Sequence, residues 1–279
     1  MGKAMLKLVI AALLAACGAP SSVEARDADA SMFQNAPAEQ QRLPDQLREI
    51  SGLAVAPDGR LFAHDDEHAT VYQLDAESGA IVKSFSLGAE TLTGDFEGLA
   101  IAPDGAFWMT TSRGQLYRFS EGADGANVSF ETFDSGLDEI CEIEGLAYAP
   151  SEESLILACK QNHARRMRDT VSLYRWRFAG SAQPWRELRE ADVASAAGVE
   201  HFRPSSVEFD PVSGRILLLS ARDGALAELA PDGALLAARA LARAHVQPEG
   251  AAVLQDGSLL ISDEASGGRP TLSRYVRTP

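Results

Sequence analysis

Cysteine is scarce in this chain: three in 279 residues. That excludes a disulfide-stapled miniprotein and a zinc ribbon of paired Cys-x-x-Cys hooks. No Gly-x-Ser-x-Gly, His-Glu-x-x-His or phosphate-loop motif occurs, so the common signatures of serine hydrolases, zinc peptidases and nucleotide hydrolases are missing. The five histidines, His64, His68, His163, His201 and His245, show no zinc-ligand spacing. Positive charge is in deficit. The net charge is −15, which argues against nucleic acid and against docking on anionic lipid. The acids are dispersed rather than blocked, so they do not read as disorder. Long apolar runs are absent too: the stretch from Leu8 to Ala16 is too short to span a bilayer.

What is present is a phrase repeated five times. The copies are Ile50-Ser51-Gly52-Leu53-Ala54-Val55, Phe96-Glu97-Gly98-Leu99-Ala100-Ile101, Ile143-Glu144-Gly145-Leu146-Ala147-Tyr148, Pro204-Ser205-Ser206-Val207-Glu208-Phe209 and Pro248-Glu249-Gly250-Ala251-Ala252-Val253. Counted at 52, 98, 145, 206 and 250, the steps are 46, 47, 61 and 44. A mid-forties period is the size of one four-stranded propeller blade. Each phrase leads into a tight turn such as Pro57-Asp58-Gly59 or Pro103-Asp104-Gly105. Pro presets φ there, Asp bonds its own backbone and Gly takes positive φ. A second apolar strand follows, as in Phe107-Trp108-Met109 and Ile216-Leu217-Leu218. A third alternates apolar and polar residues, as in Gln115-Leu116-Tyr117-Arg118-Phe119, so that one face is covered and the other wet. The expected fold is all-β: a single β-propeller of five blades with four strands each. Six blades is the alternative, because the 61-residue step leaves room for a degenerate one. The fifth unit runs out after its third strand, near Tyr275-Val276-Arg277. The N-terminal stretch before Ser51 is expected to supply the missing fourth strand and close the ring.

The chain opens with Lys3, Lys7, an apolar stretch and Leu14-Ala15-Ala16-Cys17-Gly18. This order predicts a signal peptide over residues 1–16. Leu-Ala-Ala-Cys resembles a bacterial lipobox, which implies cleavage before Cys17 and a lipid anchor on it; more than one acyl chain makes such an anchor stable. The mature chain loses Lys3 and Lys7 and carries −17. The absence of Asp after Cys17 points to the outer membrane, facing the periplasm. Residues 17–40 are small and polar and predict a flexible tether. Residues 41–279 form the propeller domain, expected to be monomeric. Cys141 and Cys159 are an even pair in an oxidising compartment. A hairpin folded about residue 151 or 152 places Cys159 opposite Glu144, so a disulfide needs a bend; two buried free thiols are the alternative.

The first strand of each blade lines a propeller's channel. The residue before the repeated Gly is Ser51, Glu97, Glu144, Ser205 or Glu249. Glu97, Glu144 and Glu249 therefore converge on one axis as candidate ligands for a hard divalent cation, calcium above all. The opposite expectation is that they bond backbone amides or face water. Glu49, Asp65 and Asp263 stand nearby in the repeat as further oxygen donors. Arg113, Lys160, Arg203 and Arg222 are candidates for binding an anion. Arg165, Arg166 and Arg168 fall in the long third unit, which predicts a loop projecting from one face.

The order of these phrases resembles the SdiA-regulated propeller family of bacterial envelope proteins, over about residues 43–277. That resemblance implies a small β-propeller related to NHL-type repeats, without a settled activity. A more distant resemblance, to calcium-dependent lactonases of the senescence-marker type, implies metal binding at Glu97, Glu144 or Glu249. Such lactonases also place Asn in the channel, whereas this chain has Asn only at 35, 127 and 162, none in a first strand. A phytase-like esterase using calcium is a further expectation. The functional expectation is an envelope-anchored propeller that binds a small ligand or cation on its channel face. A calcium-dependent hydrolase and a protein-interaction scaffold are the alternatives.

Overall fold

The computed structural model describes residues 31–278. The expected signal peptide, the proposed lipid attachment at Cys17 and the expected tether as far as residue 30 lie outside the described residues.

The chain lays down β1 (Glu39–Arg42) and then the first blade: β2 (Ile50–Val55), β3 (Leu61–Asp65), β4 (Thr70–Leu74) and β5 (Ile81–Leu87). Blade two is β6 (Phe96–Ile101), β7 (Phe107–Thr111) and β8 (Gln115–Phe119). Next comes β9 (Asn127–Val128), a short strand parallel to β5 of blade one, and then β10 (Phe130–Asp134), which completes blade two. Blade three is β11 (Cys141–Ala149), β12 (Ser154–Asn162), β13 (Thr170–Trp176) and β14 (Gln183–Arg189), followed by α1 (Glu190–Ala197). Blade four is β15 (Ser206–Phe209), β16 (Ile216–Ser220), β17 (Ala225–Leu229) and β18 (Leu235–Ala240). Blade five is β19 (Pro248–Val253), β20 (Leu259–Asp263) and β21 (Thr271–Tyr275), with β1 as its outer strand.

The five repeated phrases form β2, β6, β11, β15 and β19. Each touches the next, and β19 touches β2, so the ring closes with five blades. The second strands are buried on both faces, which is why they read as continuous apolar runs. Their alternate side chains feed two different interfaces. Ile216 and Leu218 join the cluster between blades three and four, whereas Leu217 and Leu219 join the one between four and five. Five such apolar clusters fill the five interfaces.

The long third step does not hide a sixth blade. It is taken up by β11 and β12, nine residues each, and by α1. The arginine run lies in an exposed 3-10 turn, as a projecting loop would. The rest of the insertion is helix, packed inward because Val193, Ala194 and Ala197 share one buried stripe.

The ring is closed from both chain ends. β1 pairs antiparallel with β21, Gln40 opposite Ser273. Residues before 41 also join the ring: Phe33 bridges to Arg277 and is 1% exposed, filling the interface between blades four and five. Cys141 and Cys159 form a disulfide with Cα atoms 5.8 Å apart. The bend it requires is an irregular stretch of β11, which places Ile143 rather than Glu144 opposite Cys159.

Candidate functional site at the channel mouth

The innermost strands pack very closely. A Cβ on Gly98 would lie 2.7 Å from the backbone nitrogen of Leu146 in the next blade, and one on Gly145 would lie 2.7 Å from that of Val207. At these two glycines neighbouring blades meet backbone to backbone.

The residue before each glycine is a bulge. In β2, Ile50 faces Asp65 and Gly52 faces His64, which leaves Ser51 without an opposite number. Glu97 is the extra residue between the pairs Phe96–Thr111 and Gly98–Thr110, and Glu249 between Pro248–Asp263 and Gly250–Ser262. In β11 the shift falls between Ile143 and Leu146 and takes in Glu144. A bulge re-aims the side chain it carries. Here it turns three glutamates toward one cavity of about 180 Å³, walled also by Glu49, Ser51, Asp66, Lys160, Gln247 and Glu264.

Burial and mutual repulsion set the charges. Burial pushes Glu97 up to about 9, with Glu144, Asp95 and Glu249 adding to it. Burial raises Glu249 to about 8, with Glu144 adding. Glu144 is 4% exposed, but the ion pair it makes with Lys160 holds its rise to about 7. Burial works against the Lys160 ammonium, but Glu144, Glu142 and Glu249 together outweigh it, so the lysine stays above its ordinary value. Glu142 lies 3.6 Å from the same ammonium. Ser51 Oγ donates to Glu97 at 3.3 Å, and Gln247 Nε2 donates to Glu249 at 3.2 Å and to Glu264. Burial and the neighbouring Glu49 raise Glu264, and burial takes Asp66 to about 6. The cavity is walled mainly by carboxyls, with Ser51 and Gln247 as neutral polar groups and Lys160 as the built-in cation. Among the described residues, no three His, Cys, Asp or Glu side chains are grouped so as to hold a metal ion.

Alongside lies a cavity of about 320 Å³ that shares Glu144, Lys160, Gln247 and Glu249 and adds Arg203, Ser205 and Arg222. The mouth is therefore acidic on one side and basic on the other.

A family model described as SdiA-regulated matches residues 31–267. The chain belongs to the SdiA-regulated family. Membership covers all five blades' innermost strands and so includes every wall of this mouth. No curated relative matches the chain. Among solved structures, the glutaminyl cyclase of Myxococcus xanthus is similar at TM-score 0.57 and 17% identity, over 86% of this chain and 94% of that one. A luciferin-regenerating enzyme is similar at TM-score 0.55 and 10% identity, over 84% and 92%. The PQQ-bound aldose sugar dehydrogenase of Streptomyces coelicolor gives 0.52 and 12%, over 86% and 99%. At these identities the SdiA-regulated chain shares their fold.

Of the candidate residues, Glu49, Glu97, Glu144, Lys160 and Glu249 meet in the acidic cavity, and Arg203 and Arg222 in its neighbour. Three others do not join them. Arg113 is exposed and forks onto Asp138 with two bonds of 2.8 Å. Asp65 accepts the backbone amide of His68 at 2.7 Å. Asp263 bonds His245 Nδ1 at 2.7 Å and accepts the amides of Val246 and Gln247. The next residue along, Asp66 or Glu264, is the one that lines the cavity. Period-two alternation at the ends of β3 and β20 explains why: Asp65 and its successor point opposite ways. Gln247 went unnoticed in the sequence, although it stands two residues before Glu249, as Glu49, Asp95 and Glu142 stand two before Ser51, Glu97 and Glu144.

Proposed function

We propose that this protein is a binding propeller whose channel mouth takes a small zwitterionic ligand. The ligand's ammonium meets the Glu97, Glu144 and Glu249 side, and its anionic group meets Arg203 and Arg222. One observation carries the reading: three carboxyls from three blades share a cavity with a single internal cation, Lys160. Such a set gains free energy when a further cation enters, because like charges otherwise suppress one another's ionisation. An ammonium needs no inner-sphere ligand set. A calcium ion would bind the same oxygens only after drawing Glu144 away from Lys160. The chain is held at the bacterial envelope through lipid on Cys17.

The test is thermal unfolding with a panel of free amino acids and, separately, with millimolar calcium chloride. At one hundred times Kd, a ligand of the folded state adds about 2.7 kcal/mol. The expected result is a shift with at least one amino acid that Glu144→Gln removes. A shift with calcium alone replaces the zwitterion by the metal. No shift with either, or a shift unchanged in the triple variant Glu97→Gln, Glu144→Gln, Glu249→Gln, removes the proposal.

The hydrolase reading rests on Glu144, whose carboxyl at about 7 suits proton transfer near neutral pH. Turnover of lactones or phosphate esters that dies with Glu144→Gln would support it over simple binding.

A further inference from the structure

We propose that the opposite mouth of the channel holds a second site, for a small apolar organic cation whose charged group meets Glu208. The repeat itself marks the place. Two residues after the phrase's glycine stand Ala54, Ala100, Ala147 and Ala252; only blade four breaks the pattern, with Glu208. A buried position that four blades fill with a methyl group holds a carboxyl in the fifth. Departures from a local rule of this kind gather at functional sites.

Glu208 opens onto a cavity of about 300 Å³ at the C-terminal ends of the innermost strands. Its walls are mainly apolar: Ala54, Ala100, Ile101, Phe209 and Val253, with Tyr148. A few fixed polar groups in an apolar hollow of this size are what small-molecule sites have in common. Glu208 Oε1 accepts the backbone amide of Val253 at 3.4 Å, which pins the side chain across the joint between blades four and five. Among the described residues, no lysine or arginine forms an ion pair with it. The nearest acid along the chain, Asp210, is itself taken by Arg277 at 2.7 Å. Burial in this hollow pushes Glu208 up to about 8, with Asp210 adding to it and the Val253 amide opposing. Tyr148 faces the same space as a neutral phenol, raised by burial and by Glu153 and Asp104. An arriving cation therefore meets a carboxyl that no lysine or arginine among the described residues already neutralises.

Size and surroundings extend the argument. A cavity of about 560 Å³ adjoins the first through Pro103, Tyr148 and Pro150, and is faced by Trp108, Phe133 and Phe178. Aromatic faces attract cations and apolar bodies alike. The site is separate from the acidic mouth: Glu249 and Val253 lie four residue steps apart along extended β19, about 13 Å. The ligand class is thus an alkyl- or arylammonium ion with an apolar body. Its binding ionises Glu208 and releases that proton to solvent.

Isothermal titration with benzyltrimethylammonium tests this, because the probe's own charge does not vary with pH. Its affinity should rise about tenfold per pH unit up to about 8 and level off above, as Glu208 ionises. Benzyl alcohol, the uncharged control, should show no such dependence. Glu208→Gln should weaken the probe by tenfold or more at pH 8.5, while the triple glutamine variant of the acidic mouth should bind it as wild type does. Carbodiimide labelling of the wild-type protein, read by peptide mass spectrometry, gives the same answer without a variant: the probe protects Glu208 and leaves Glu97 unprotected. Absence of binding between pH 6.5 and 9, binding unchanged by Glu208→Gln with Glu208 unprotected, or binding lost in the triple variant overturns the proposal. Failure of the amino-acid and calcium shifts at the acidic mouth leaves it standing.

Discussion

Gly145 shows how a single residue carries the ring. Its missing Cβ would lie 2.7 Å from the Val207 nitrogen, and strand backbones cannot swing aside as a flexible side chain can. Gly145→Ala should therefore cost about 1–3 kcal/mol, in the range of core overpacking, measured by urea unfolding. The raised carboxyls make a second residue-scale prediction. Glu97, Glu249 and Glu144 go from ordinary values of 4.5 to about 9, 8 and 7. The folded chain therefore holds protons that the unfolded chain has released. Stability is greatest below about pH 4.5 as far as these groups go, and falls as pH climbs toward 9, by up to about 1.4 kcal/mol per pH unit for each proton held. Glu97→Gln should match wild type near pH 4 and melt higher at pH 9. A variant that melts lower at both values would count against the charge reading.

The β-bulge is the element that makes the mouth. The same extra residue recurs in β2, β6 and β19, and a wider irregularity in β11 takes in Glu144, which converts a repeated place in sequence into a shared direction in space. The repeat was legible because the glycine is sterically required. The bulge was not, because one unpaired residue changes no composition and shifts no period. It also settled the cysteines: regular pairing kept Cys141 and Cys159 apart, whereas the irregular β11 joins them. Reducing that disulfide, which spans 18 residues, should lower stability by about 2–4 kcal/mol in denaturant titrations under reducing conditions. β1 is an element of the same importance. Phe33→Ala should cost about 3–5 kcal/mol, since it empties the interface next to the closing strand.

At the scale of the molecule, five interfaces are each filled by an apolar cluster, and buried carboxyls stand at both mouths of the channel. One mouth carries Glu97, Glu144 and Glu249, and the other carries Glu208. The proposed anchor belongs to this scale. Cys17→Ser should move the protein from the membrane pellet to the soluble fraction on cell fractionation; a wild-type protein already soluble, or a variant still in the pellet, would remove the anchor.

The sequence alone determined the propeller and the identity of its innermost strands, and made five blades with N-terminal closure the expectation. Six blades stayed open until β11, β12 and α1 were seen to take up the 61-residue step and β1 to pair with β21. A period near 45 residues, glycines forced by close approach and an unfinished fifth unit admit few other folds. The convergence of Glu97, Glu144 and Glu249 was equally readable, because a ring turns equal positions into neighbours. Only the tertiary structure decided which of two adjacent acids at a strand end faces the cavity, Asp66 over Asp65 and Glu264 over Asp263. It alone placed Lys160 against Glu144, across a hairpin whose register no local pattern reveals. The physical reason is one of range. Periodicity is a property of neighbours along the chain, whereas register, bulges and ion pairs depend on which strand lies alongside.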